Sequence, residues 1–249
     1  MICNKKTEQY YKLVLKQRLK VISSFPEKFK SFDVSLYDKF KVALAINLTN
    51  VIHIKYSLDE EKSELLKDLP KIINLIKDHW QPELVKVSKG RKPIYYAMYW
   101  LEYNFFMRKL LSFLVLFDVD EVYFETLRDI IDNDKVKDGL YDYLLSYKFP
   151  DRIISENIYP EKPKTKIMDI IFEKDDNVCS KMVKVYLEKE WYKSYKNAGF
   201  YNSHLLPEER LDFFGYWAFE VAAIVKIKGI DDSCFRDNMY YPKNLIIND

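Results

Sequence analysis

Glu220 is the residue whose surroundings are most unusual for its chemistry. It lies in the apolar run GYWAFEVAAI, which spans Gly215 to Ile224. A carboxylate buried among apolar side chains needs a charged or hydrogen-bonding partner. One interpretation makes Glu220 a general acid or base. We favour the alternative, a structural partner for a cation such as Arg236, because no second catalytic group lies nearby in the sequence.

Asp231 and Asp232 raise the second chemical alternative. Together with Glu220 they offer the oxygen ligands that Mg²⁺ or Ca²⁺ prefers. An enzyme that uses Glu220 with one or both aspartates, around a divalent metal, is therefore one hypothesis for this chain.

Histidine and cysteine chemistry has little support in the sequence. The three histidines lack the spacing of a metal site: His53, His79 and His204. The three cysteines are odd in number and widely separated, which argues against a disulfide framework or a zinc site: Cys3, Cys179 and Cys234. The sequence also contains no GxSxG motif and no P-loop. We therefore expect no cofactor and no metal.

Charge is balanced overall but uneven along the chain. Forty basic and thirty-eight acidic residues give a net charge of +2, which provides no general field for nucleic acid. Lys12, Lys16 and Lys20 repeat every four residues, so a nucleic-acid-binding helical protein is a further alternative. A solvated helix face explains this lysine stripe more simply. Residues 118–142, in contrast, carry nine Asp and Glu against three basic residues.

The elements that must position these residues are predicted to be helices. Only five glycines and nine prolines occur, and apolar residues repeat at three- and four-residue spacing. The pattern predicts an all-α multi-helix bundle with an irregular C-terminal tail and no strands. The predicted helices span about 7–22, 35–56, 57–79 (with a Ser57/Glu60 capping box and a break near Pro70), 93–117, 118–131, 135–148, 165–173, 177–195 and 207–229.

A proline-rich segment predicts the domain organisation. Residues 150–164 contain three of the nine prolines and are predicted to be a linker. We therefore expect an N-terminal helical region over residues 1–149 and a C-terminal helical region over 165–249. These regions could form two packed subdomains.

The sequence predicts a soluble, cytoplasmic protein. The most apolar predicted helix contains Glu102, Arg108 and Lys109, and a membrane span would not tolerate these charges. The first residues, MICNKKTEQYYK, contain no apolar signal core. We expect no membrane partner.

The C-terminal quarter resembles a known family through an ordered series of motifs. They are Trp191-Tyr192, Gly215-Tyr216-Trp217-Ala218-Phe219-Glu220, Gly229-Ile230-Asp231-Asp232, Arg236-Asp237 and Tyr240-Tyr241-Pro242-Lys243. The series is similar to the PoNi family, immunity proteins against polymorphic nuclease effectors delivered between competing bacteria. The resemblance covers about sixty residues, from Trp191 to Leu245. Asn244 departs from it, since an acidic residue is expected after Tyr-Tyr-Pro-Lys.

The resemblance implies an all-α, non-enzymatic, cytoplasmic protein that binds and blocks a DNA-cutting toxin without contacting nucleic acid directly. The motif is expected to build the scaffold, leaving partner specificity to other residues. The motif residues to which we assign this structural role are Trp191, Tyr192, Gly215, Tyr216, Trp217, Phe219, Glu220, Gly229, Asp231, Asp232, Arg236, Tyr240, Tyr241 and Pro242.

The acidic stretch supplies the candidates for contact with such a toxin. A nuclease presents a basic groove to DNA, and an inhibitor gains association rate and selectivity by offering negative charge. Exposed tyrosines are expected to add the aromatic anchors. Two solvated helices also explain the acidic stretch. The interface candidates are Asp118, Asp120, Glu121, Asp129, Asp132 and Asp134.

Overall fold

The computed structural model describes residues 5–27, 33, 36–89, 94–159 and 165–246. These residues confirm the predicted all-α class, with one small two-stranded sheet in addition. The elements are α1 (Glu8–Ser23), α2 (Tyr37–Ser57), α3 (Lys62–Leu66), α4 (Leu69–His79), α5 (Pro82–Val85), β1 (Lys86–Lys89), β2 (Ile94–Tyr99), α6 (Leu101–Phe117), α7 (Glu121–Asn133), α8 (Gly139–Leu145), α9 (Thr165–Phe172), α10 (Asp176–Val185), a π-helix (Tyr186–Glu190), α11 (Trp191–Ser194) and α12 (Phe219–Lys228).

The chain divides into two compact units, and each unit is discontinuous in sequence. Unit 1 comprises Met1–Val85 with Asn202–Tyr216, and unit 2 comprises Lys86–Tyr201 with Trp217–Asp249. The linker predicted at residues 150–164 falls within unit 2, and residues 160–164 lie outside the described part of the chain. A linker there stays a prediction.

Unit 1 is built on α2, which packs against α1 and α4. The capping box predicted at Ser57 is wrong, because Ser57 ends α2 and its hydroxyl donates to the Phe214 carbonyl at 2.6 Å. The break predicted near Pro70 is confirmed: α3 ends at Leu66, and Pro70 lies in the first turn of α4, where its missing N–H costs nothing.

Unit 2 is built on α6 and α12, which pack together, with Phe113 and Phe219 in an edge-to-face contact at 4.9 Å. The prediction of one helix over 93–117 is wrong in its first turns, and so is the expectation of no strands. Ile94–Tyr99 forms β2, antiparallel to β1. β2 reads IYYAMY, and aromatic and β-branched residues of this kind favour a strand. Pro93 lies outside the described residues.

The helix predicted over 207–229 is also much shorter than expected. Glu208–Arg210 form a single 3₁₀ turn, and α12 begins only at Phe219. The intervening backbone bonds to partners distant in sequence instead of forming helical hydrogen bonds: the Phe213 N–H donates to the Tyr10 hydroxyl, and the Ala218 N–H donates to the Tyr240 carbonyl. The end is confirmed, since Gly229 caps α12 with φ 66°.

α8 begins four residues later than predicted because Asp138 caps it. The Asp138 carboxylate accepts the N–H groups of Leu140 and Tyr141 at 3.0 and 3.3 Å. Gly139 follows in the first turn, where a Cβ atom would overlap the Ser155 carbonyl oxygen. Glycine therefore permits the close approach between α8 and the segment that follows it.

Candidate functional site

The Glu220 carboxylate lies in the first turn of α12, buried in the core of unit 2. Its Oε1 atom accepts two hydrogen bonds, from the Trp191 indole N–H at 2.7 Å and from the Tyr195 hydroxyl at 2.8 Å. The predicted cation partner, Arg236, is wrong, because its guanidinium pairs with Asp232 instead. Glu220 therefore links α12 to the helical segment that carries Trp191 and Tyr195.

Two cations on α6 surround this carboxylate. Burial lowers the pKa of Lys109 to about 8, although the negative charge of Glu220 opposes the shift. Burial would also lower the pKa of Arg108, but the interactions with Tyr195, Asp138 and Glu220 outweigh it and raise that pKa. Burial and the nearby Glu220 charge raise the pKa of Tyr195. Glu220 thus compensates buried positive charge and accepts hydrogen bonds from two neutral donors.

Arg108 extends this network towards α8. Its Nη2 atom donates to the Tyr159 carbonyl at 2.8 Å, and the Tyr159 N–H donates to Asp138 at 3.1 Å. Burial raises the pKa of Asp138, while the positive charge of Arg108 opposes the shift. Hydrogen bonds therefore connect Asp138, which caps α8, and the backbone of Tyr159 to Arg108 on α6.

A second carboxylate cluster closes the C-terminal tail. Buried Asp232 accepts from Arg236 Nη1 at 2.6 Å and from the Tyr241 hydroxyl at 3.2 Å. Exposed Asp231 instead accepts from the N–H and hydroxyl of Ser233, and the hydroxyl bond contributes most to lowering its pKa. Asp231 and Asp232 thus engage partners different from those of Glu220.

These contacts do not assemble a metal centre from the described residues. Within that part of the chain, no group of three or more His, Cys, Asp or Glu side chains is arranged to hold a metal ion. The histidines also engage different partners: His53 contacts the Gly215 carbonyl, His79 contacts Asp38, and His204 contacts the Tyr216 hydroxyl. Cys179 is buried, which raises the pKa of its thiol, and Cys3 lies outside the described residues.

Three aromatic residues of the motif form a column of rings with Tyr201, which the sequence did not predict. Tyr192 stacks on Tyr240 with centroids 5.6 Å apart and on Tyr201 with centroids 4.7 Å apart. Tyr240 also contacts Trp191 at 4.9 Å. The column therefore runs from Tyr201, through Tyr192 and Tyr240, to the residue that donates to Glu220.

The remaining motif residues hold backbone turns and core positions. Gly215 adopts φ 108°, a conformation that glycine allows, and the Tyr216 hydroxyl lies 2.9 Å from His204 Nδ1. Trp217 and Pro242 are buried in unit 2, where Pro242 precedes a short 3₁₀ turn. Each of these contacts lies within a single unit.

The six acidic interface candidates differ in their accessibility. Asp118 is the C-cap of α6, with a left-handed backbone conformation, and its side chain accepts hydrogen bonds from Tyr147 and Lys148. The Lys148 hydrogen bond contributes most to lowering its pKa. Asp134 is only 5% exposed and accepts from the Tyr99 hydroxyl at 2.7 Å. A partner could not reach the Asp134 side chain in this conformation.

Three of the exposed candidates lie on one side of α7. Glu121, Asp129 and Asp132 are exposed, and Asp120 precedes the helix. Arg152 holds Asp132 with two hydrogen bonds, at 2.7 and 3.1 Å. Among these carboxylates lies Val122, whose side chain is 56% exposed. We name Glu121, Val122, Glu125, Asp129 and Asp132 the α7 acidic face, since their spacing places them together.

This is a helical protein whose elements are joined by buried hydrogen bonds to Glu220 and Asp232. The motif residues also fix the C-terminal tail. Comparison with known protein families agrees with the resemblance found in the motif. Residues 136–245 match the family model described as PoNe immunity proteins (PoNi), C-terminal. The resemblance to the PoNi family is thereby confirmed for this C-terminal region.

The fold has a counterpart among solved structures. The crystal structure of protein PA2201 from Pseudomonas aeruginosa aligns with a TM-score of 0.66 over 94% of this chain and 86% of that chain. The two sequences are 17% identical, so this likeness concerns the fold alone. No curated protein sequence gives a significant match. Among the described residues, no helix has both the length and the apolar character needed to cross a membrane.

Proposed function

We propose that this chain is an immunity protein that binds a cognate bacterial nuclease toxin and neutralises it by protein–protein contact. The observation that carries the proposal is the match of residues 136–245 to the PoNi C-terminal family model. On this proposal the protein acts in the cytoplasm and catalyses no reaction, and the toxin is its partner.

The buried motif supports a binding role over a catalytic one. Glu220 is occupied by Trp191 and Tyr195, and Asp232 is occupied by Arg236 and Tyr241. A catalytic carboxylate needs access to a substrate proton, whereas these two carboxylates fix elements to one another. The motif then serves as a scaffold that holds the surfaces around it.

The α7 acidic face is the surface we propose for the toxin. It presents exposed carboxylates around Val122, so it combines electrostatic attraction with an apolar contact. A basic DNA-binding groove has the complementary charge. Asp118, which pairs with Lys148 at the end of α6, and the buried Asp134 lie outside this surface. Asp129 and Asp132 contribute to it from within their ion pairs with Arg128 and Arg152.

Charge reversal tests the surface. We expect Glu121→Lys with Asp129→Lys to weaken toxin binding by roughly tenfold or more, and most strongly at low salt. Both side chains are exposed, and neither holds Arg152. Asp129 pairs with its neighbour Arg128 at the surface, so the fold should persist. The toxin dissociation constant, measured by calorimetry at two salt concentrations, gives the answer.

A matched control uses two exposed acidic residues of unit 1, Asp78→Lys with Glu209→Lys, which change the net charge equally. We expect this control to bind like the wild type. Equal affinity of all three proteins would remove the α7 acidic face from the interface, and co-purification of the wild type with the toxin would still test the function itself.

A further inference from the structure

The segment that carries Trp191 and Tyr192 has a charge opposite to that of the α7 acidic face. In the segment from Lys181 to Lys196 five lysines stand against two glutamates. Lys184 pairs with Glu188 at 3.8 Å. Lys189, Lys193 and Lys196 are exposed, and the part of the chain that the structure describes gives them no ion pair.

These three lysines lie beside the aromatic column. Lys189 lies in the π-helix three residues before Tyr192, and Lys196 follows the C-terminal end of α11, four residues after Tyr192. Lys193 follows Tyr192 directly. The rings of Tyr192, Tyr201 and Tyr240 are partly exposed, so the lysines flank accessible aromatic surface.

Two exposed apolar side chains directly precede tyrosines of the column in the sequence: Phe200 precedes Tyr201, and Met239 precedes Tyr240. Phe200 is 37% exposed and contacts Phe105 and Tyr195, and Met239 is 44% exposed. Tyrosine is among the residues that carry most of the energy in protein interfaces, particularly where a polar rim surrounds them. We name Lys189, Lys193, Lys196, Phe200, Tyr201 and Met239 the lysine–tyrosine surface.

The column explains how the motif supports this surface. Trp191 is fixed at one end by its hydrogen bond to buried Glu220, and Tyr240 is fixed by the bond from the Ala218 N–H to its carbonyl. Tyr192 and Tyr201 stack on this anchored pair. The rings are thus held in place before any partner arrives, which lowers the entropy cost of binding.

We propose that the lysine–tyrosine surface is a second contact region for the toxin and takes a segment rich in Asp and Glu side chains. The inference rests on the proposed function and adds to it the chemistry of a second partner segment. Unpaired lysines attract carboxylates, and the fixed rings supply the apolar contact beneath them. A toxin contacted here and at the α7 acidic face presents both signs of charge, so a mismatched toxin can be rejected at either face.

The test compares two lysine pairs in the full chain, using the nuclease toxin encoded beside its gene as the probe. Lys193→Glu with Lys196→Glu is expected to raise the toxin dissociation constant roughly tenfold, with a smaller effect at high salt. Lys16→Glu with Lys20→Glu makes the same charge change on α1 at exposed positions and is expected to change it less than about twofold. Circular dichroism melting of both variants checks that they fold.

Three other outcomes overturn the inference. Unchanged affinity in the Lys193/Lys196 variant, with affinity lost in the Glu121/Asp129 variant, would leave the proposed function standing and remove this surface. A wild-type protein that forms no toxin complex would refute both. Binding of a labelled single-stranded oligonucleotide by the wild type, lost in the Lys193/Lys196 variant while toxin affinity is kept, would make the surface a nucleic-acid site.

Discussion

Glu220 illustrates how one side chain can join several elements. Its carboxylate meets a tryptophan and a tyrosine from one helical segment, while Arg108 and Lys109 approach from α6. A buried ion is tolerated only when such partners replace the water it has lost. Removing its charge should therefore affect stability, whereas a catalytic role would make activity the sensitive quantity.

Glu220→Gln is expected to lower the free energy of unfolding by about 2–4 kcal/mol, because it leaves buried positive charge uncompensated. Urea unfolding measures the change. Asp231→Asn is the control, since Asp231 is exposed, and it should unfold at nearly the same urea concentration as the wild type. A fully stable Glu220→Gln protein that has lost its function would instead favour the enzyme hypothesis.

Lys109 gives the network a dependence on pH. Its pKa is about 8 in the folded protein and about 10.4 in an unfolded chain. Between these values the unfolded state binds more protons, so the contribution of Lys109 to stability rises as pH increases from about 8 towards 10. We expect urea unfolding between pH 7.5 and 9.5 to show this rise in the wild type and a weaker one in Lys109→Met. Parallel curves for the two proteins would contradict this account of Lys109.

At the scale of elements, α8 depends on a close approach at its first residue. A Cβ on Gly139 would overlap the Ser155 carbonyl and the Met168 side chain. We expect Gly139→Ala to lower the free energy of unfolding by about 1–3 kcal/mol, as overpacking does. Gly199→Ala is the matched control, because nothing lies within 4 Å of its added methyl group. Equal stability of the two variants would mean that the backbone around Ser155 moves at little cost to make room for the added methyl group.

The errors in the predicted elements share a physical cause. Ile94–Tyr99 is apolar like the helix that follows, and apolar runs do not distinguish a helix from a short strand. Residues 211–218 carry a helical pattern, but partners distant in sequence, the Tyr10 hydroxyl and the Tyr240 carbonyl, satisfy the N–H groups of Phe213 and Ala218. No local pattern could predict these tertiary contacts. In contrast, Gly229 and Pro70 act locally, and the helix boundaries they predict are confirmed.

The candidate sites, like the helices and strands, were predictable only where the signal is local in sequence. The acidic stretch is visible in the sequence because it is a run of neighbouring residues, and the motif is visible because its short pieces follow one another in a fixed order. The partners of Glu220 were missed, since Trp191 and Tyr195 lie 29 and 25 residues away. The burial of Asp134 was missed for the same reason: its partner Tyr99 lies 35 residues earlier.

At the scale of the whole molecule, the two proposed contact surfaces both belong to unit 2, which also contains most of the region that matches the PoNi model. A buried scaffold with exposed charged faces suits a protein whose partner varies. The core positions must keep their packing, whereas exposed side chains can change with little loss of stability. If the proposed function holds, a chain of this kind can keep its fold while the residues that contact the toxin change.

The most direct test of the central claim is co-expression of this chain with the nuclease toxin encoded beside its gene. Cell survival and co-purification of the two chains are measured together. We predict that the toxin alone kills, that co-expression restores growth, and that the two chains purify as one complex. Death despite a well-expressed, folded protein, with no complex recovered, would contradict the account.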